Sequence, residues 1–192
     1  MEQGTLTSTD KRINAADRVA DIHRCASEAP EDRDHETNGK LFMICPDCDI
    51  EQAIRSHFDC RTYFITALGA VFAPLDTGFT GMLNTLLSIE QVDEILIAVD
   101  PSCRFLQGIT GQGPAYNTRA EGYFQNSLAM RAHLLNGTSD STEKIIELAR
   151  LAMTRQMREF TLDPNIGPRL ASGEISIKSV LYNRTTDEFS PM

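Results

Sequence analysis

The sequence contains no apolar run approaching the ~18 residues that a membrane-spanning helix needs, so no span is expected. Its first residues, "MEQGTLTSTDKRINAAD", lack the apolar core of a secretory leader, which makes the cytoplasm the expected compartment. Basic residues are scarce: 18 Lys and Arg stand against 27 Asp and Glu, for a net charge of −9 over 192 residues. No basic run breaks that balance, so nucleic acid is not an expected partner. Internal repeats are absent. The stretch "TGQGPAYN" has glycines but no phosphate-loop lysine, and reads as plain loop. The cysteines number five, Cys25, Cys45, Cys48, Cys60 and Cys103. An odd count without a leader favours free thiols or metal ligands over a disulfide framework.

What is present suits one α/β domain with an arm. Thr9 or Asp10 can cap a helix carrying Ile13, Ala16, Val19, Ala20 and Ile22 on one face. "EAPEDRDHETNGK" then forms a charged connector, so residues 1–40 read as arm and connector and 41–192 as the domain. The run "LFMIC" reads as a buried strand, followed by a helix from about Ile50 to His57 and a strand in "RTYFITALG". Thr77 to Glu90 repeats Phe79, Met82, Leu83, Leu86 and Leu87 at helical spacing. "DEILIAVD" is a continuous apolar run of the kind found inside parallel sheets. Gly108 to Asn117 reads as loop, and helices are expected over 119–135 and 141–160. "SGEISIKSVLYNRTTDEF" alternates like a strand and turns near Arg184 to Thr186. Strands alternating with helices imply a mainly parallel sheet flanked by helices.

The chemistry gathers where two of those strands end. Pro46 stops the first ladder in "CPDCD", and "DPSC" follows the strand ending at Val99. In open α/β sheets ligands bind at the carboxyl ends of strands. If the two strands are neighbours, Cys45, Asp47, Asp100 and Cys103 converge at one edge, and thiolates with an oxygen ligand suit zinc. Plainer readings stand beside this one. Cys45 and Cys103 can be buried, inert thiols. Asp100 can be a turn residue before Pro101. Cys48 can pair with Cys45 as Cys-x-x-Cys, or complete a three-thiolate zinc site.

In the order of these motifs the sequence resembles the β-class carbonic anhydrases. "CPDCD" stands in place of that family's Cys-x-Asp-x-Arg, and "DPSC" in place of its His-x-x-Cys. "YFITALGAVF" occupies the place of its Arg-Asn-x-Gly-Asn region and keeps one glycine, Gly69. "FTLDPNIGPRLASGEISIKSVLYNRTTDEF" follows the family's tail: a proline-containing segment, a helix ending in Gly, an apolar strand, and Tyr-Asp-x-x-Thr-Gly. The resemblance runs from about residue 41 to 190, with 104–140 not closely matched. It implies zinc on Cys45, Cys103 and Asp100, with Asp47 as a catalytic hydrogen-bond acceptor. It also implies carbon dioxide and bicarbonate as substrates, and a homodimer embraced by the arm at 9–26.

The departures bear on activity. Hydration needs zinc to lower its water's pKa to about 7, a value known from three-histidine carbonic anhydrases. Asp100 in place of the family histidine gives a site of net charge −1, which opposes that shift. Asp49 in place of the family arginine leaves Asp47 without its partner and able to reach the metal. Both changes point to a degenerate zinc site, weakly active or inactive. The rival expectation is an active zinc carbonate dehydratase on the same three ligands.

Overall fold

The computed structural model describes residues 38–72, 75–126 and 141–192; the expected arm and most of the connector lie outside them. Five strands form one sheet: β1 (Gly39–Ile44), β2 (Thr62–Thr66), β3 (Val92–Val99), β4 (Ser176–Asn183) and β5 (Glu188–Pro191), in the order β2-β1-β3-β4-β5. β1 pairs in parallel with both β2 and β3, and β3 with β4; only the hairpin partner β5 is antiparallel. The mainly parallel α/β architecture expected from the sequence is therefore what the chain adopts.

Sequence explains the layers. Leu41 to Ile44 and Ile95 to Val99 are buried without alternation because helices cover both faces of the sheet centre. Helix α1 (Glu51–His57) follows β1, and α2 (Thr77–Ile89) returns the chain to β3. Asp76 caps α2 by accepting from the Phe79 amide at 2.8 Å, and the helix buries Leu83 and Leu87. A short helix α3 (Arg104–Ile109) follows β3, overlapping by two residues the loop expected from Gly108 to Asn117. Six residues are too few to show a helical period. Helix α4 is described over 119–126, and α5 (Ser141–Leu162) packs Leu148, Ala149, Ala152, Met153 and Phe160 into the core. Helix α6 (Gly167–Ser172) ends on Gly173, whose φ of 75° closes it in the left-handed conformation. None of the helices among the described residues is long and apolar enough to cross a membrane.

The strand order locates a crevice. The chain leaves β1 toward β2 on one side, then crosses back to β3 on the other. The carboxyl ends of β1 and β3 therefore flank a topological switch point, where parallel sheets leave room for a ligand.

Candidate metal centre

Both strands at the switch point deliver a cysteine. Cys45 leaves β1 and opens a short 3-10 turn, Pro46–Cys48, which Asp49 closes at φ 50°. Asp49 tolerates this left-handed conformation better than most side chains because it is short and polar. Cys103 stands immediately before α3, its amide bonded to the Asp100 carbonyl at 3.0 Å. The Cys45 and Cys103 sulfurs are 3.4 Å apart, as adjacent parallel strands require.

The turn adds a third sulfur. Cys45, Cys48 and Cys103 present sulfurs that all lie within 4.8 Å of one another, a group able to hold a metal ion. At 2%, 1% and 0% exposure the three are enclosed by the core. Thiol hydrogen bonds from Cys103 and Cys48 hold the Cys45 thiol well below its usual range, helped by the backbone amides of Gly69 and Asp47. The same sharing pushes the others up: Cys103 through its bond to Cys45, and Cys48 through its bonds to Cys103 and Cys45.

That donor set fits zinc. Tetrahedral zinc with sulfur at about 2.3 Å sets sulfurs about 3.8 Å apart, so the trio needs only sub-ångström adjustment. It is the soft-ligand chemistry that zinc accepts.

The acids of the sequence pattern are not members of that mutually close group, and each has partners of its own. Asp100 is buried, but both its oxygens are engaged. Oδ1 accepts from the Ser102 amide at 2.8 Å and hydroxyl at 2.7 Å, and Oδ2 from Arg184 Nε at 2.6 Å. The Arg184 guanidinium also donates to Ser102 Oγ at 2.8 Å and to the Cys48 carbonyl. Asp47 has found new partners in place of the family arginine. Its Oδ2 accepts from the Tyr116 hydroxyl at 2.6 Å, and Arg104 lies 3.8 Å from Oδ1. The expectation that Asp47 would be left unpartnered is corrected by these contacts. A cavity of about 280 Å³ opens beside the Asp100–Arg184 pair, lined also by Ser102, Gln107, Ile145 and Tyr182.

Sequence reasoning missed Arg184 and Tyr116. The only local signals were an arginine in a turn and a tyrosine in a Gly-rich loop, neither of which names a distant partner.

The wall behind Cys45 is the 3-10 turn Leu68–Ala70, with Gly69 at φ 65°. A β-carbon there would lie 2.6 Å from Phe124 Cε2 and 2.7 Å from Phe105 Cε1. Gln156 fixes this turn from α5, donating to the Ala70 carbonyl at 3.0 Å and accepting from the Phe72 amide at 2.6 Å.

The fold that carries the site has solved counterparts. A tetrameric β-carbonic anhydrase from Sordaria macrospora superposes with a TM-score of 0.69 over 82% of each chain, at 15% identity. The fold is that of the β-carbonic anhydrases. The Aspergillus fumigatus β-carbonic anhydrase CafD gives 0.67 over 83% of this chain and 92% of its own, at 16% identity. The Coccomyxa β-carbonic anhydrase, solved with acetazolamide, gives 0.65 over 81% and 72%, at 14% identity. No protein-family model and no curated protein matches the sequence. The likeness to β-carbonic anhydrases thus lies in the backbone, with most side chains changed.

Proposed function

We propose that the chain is a zinc-holding protein of β-carbonic-anhydrase fold, in which Cys45, Cys48 and Cys103 hold the metal and carbon dioxide hydration is weak or absent. The observation carrying this reading is the third buried sulfur, Cys48, beside an Asp100 whose oxygens are already taken. Zinc bound there supplies a Lewis acid, but three thiolates outweigh its charge by one and blunt its power to acidify water. The chain's own residues do the rest. Cys45 is the sulfur whose ionised form its neighbours favour most, and the trio is buried in the core. Asp47, held by Tyr116, is positioned as a hydrogen-bond acceptor at the rim.

The alternative ligand set, Cys45, Asp100 and Cys103, needs an Asp100 oxygen to be shared between the metal and its present partners, Arg184 or Ser102. It belongs to the active-dehydratase reading, with carbon dioxide and bicarbonate as substrates. We extend the proposal to a homodimer, since the Sordaria neighbour is itself an oligomer. Free thiols at Cys45, Cys48, Cys60 and Cys103 fit a reducing compartment such as the cytoplasm.

The test is a metal assay on protein purified without added zinc, then stopped-flow carbon dioxide hydration and light scattering. Zinc bound one to one with slow hydration is expected. Metal-free protein that takes up no zinc refutes the metal reading. Fast hydration refutes the weak-activity reading, and a monomer mass at micromolar concentration refutes the dimer.

A further inference from the structure

We infer that Arg184 is a positioning residue that decides which atoms reach the metal, an inference resting on the zinc reading above. Arg184 lies in the turn joining β4 to β5, far along the chain from the cysteines. Its guanidinium nevertheless ties together the two segments that build the site. Nε holds Asp100 and Ser102 at the end of β3, and Nη2 donates to the backbone carbonyl of Cys48 in the turn after β1. Arginine suits the task because its planar fork presents several donors in fixed directions, where lysine offers one compact charge.

Two effects follow from this bridge. Gripping Oδ2 gives the Asp100 carboxylate, 1% exposed, a cation of its own and restrains it from turning toward a metal. Holding the Cys48 carbonyl fixes the turn that aims the Cys48 sulfur inward. The charges agree with this division of labour. Zinc with three thiolates carries −1 and Asp100 another −1, so Arg184 offsets one of the two. Without it, a buried carboxylate loses its cation beside a metal, and the cheapest new partner is that metal. Asp100 would then displace the loosened Cys48. Arg184 thus acts as the selector between a site of three thiolates and a site of two thiolates and one carboxylate.

The side chain of Arg184 is 46% exposed, so replacing it leaves no core cavity. The experiment loads zinc into the wild type, Arg184→Met, and Arg184→Met combined with Asp100→Asn. X-ray absorption then counts the sulfur shell, and competition with a chelator measures affinity. The wild type should show three sulfurs at about 2.3 Å. Arg184→Met should show two sulfurs plus an oxygen, with affinity lowered about 10- to 100-fold, the usual loss when an outer-shell partner goes. Adding Asp100→Asn should restore the three-sulfur shell, because the competing carboxylate is gone. A three-sulfur shell at unchanged affinity in Arg184→Met overturns the inference and leaves the zinc reading intact. A wild type that binds no zinc overturns the zinc reading itself. Should Arg184→Met lose its fold, Arg184→Lys keeps the charge but cannot span three acceptors. It is expected to show the same exchange, and three sulfurs at wild-type affinity there overturn the inference.

Discussion

Substituting Gly69→Ala tests the packing that stands behind Cys45. The left-handed backbone at Gly69, φ 65° and ψ 16°, costs an L-residue about 1–2 kcal/mol. The new methyl would also lie 2.6 Å from Phe124 Cε2 and 2.7 Å from Phe105 Cε1. Both rings are fully buried and set edge-on to each other at 6.0 Å, and Phe105 is braced by Tyr116 at 5.1 Å. Neither ring has space to swing into. The backbone cannot slide away either, because Gln156 holds the Ala70 carbonyl and the Phe72 amide. Overpacking of this kind costs about 1–3 kcal/mol. The two contributions come to about 2–5 kcal/mol. For a domain of this size each kcal/mol moves the melting point by about 2–4 °C, so Tm should fall by about 4–20 °C. Circular dichroism melts of the two proteins under one buffer measure it. A midpoint unchanged within error would show that the turn accommodates a β-carbon and that the described contact with the rings is wrong.

Cys48→Ala should weaken zinc binding while raising hydration per bound zinc, read by chelator competition and stopped-flow on loaded protein. Gln156→Leu leaves the Ala70 carbonyl and Phe72 amide without their partner, at about 1–3 kcal/mol for each group that stays dry, read by urea denaturation. The hydrogen bond to Asp47 raises the Tyr116 phenol above the ordinary tyrosine range. Its stabilising effect should be full below the ordinary tyrosine pKa and drain away as pH climbs through the raised value. Tyr123, raised by burial, and Tyr182, raised by its bond to Asp187, titrate late as well. Alkaline absorbance titration should therefore show one fewer late tyrosine in Asp47→Asn than in the wild type; an unchanged titration in that variant would sink the assignment.

Much of this architecture was legible in the residues themselves. "LFMI" and "EILIAV" are buried on both faces, so their lack of alternation announced a parallel sheet interior before any pairing was known. Because each run ends in acid and cysteine, the meeting of Cys45 with Cys103 followed as soon as the strands were taken as neighbours. Direction of side chains was not legible. Pro46 signals a turn, but only its 3-10 form, closed by a left-handed Asp49, brings the Cys48 sulfur inward. Arg184 lies 84 residues from Asp100 and 136 from Cys48, so its role exists only after β4 has docked on β3. Tyr116 sits in a segment whose local chemistry says loop and nothing about Asp47. Such partners are chosen by tertiary geometry, which no local period encodes.

The spacing of the three sulfurs has a consequence for how the chain acquires its shape. Cys45 and Cys48 share one turn and can grip an ion before anything else has formed. Cys103 joins them across 58 residues, and only once β1 and β3 have paired. An ion held first by the local pair therefore gains its last thiolate when the sheet centre closes, so the affinity gained at that moment is added to the stability of the closed sheet. The unfolded chain keeps its two-sulfur grip, and that residual binding reduces the gain. Seen from the folding chain, a metal held by this trio would be a staple driven through the middle of the sheet, and its withdrawal would loosen the β1–β3 seam before the periphery.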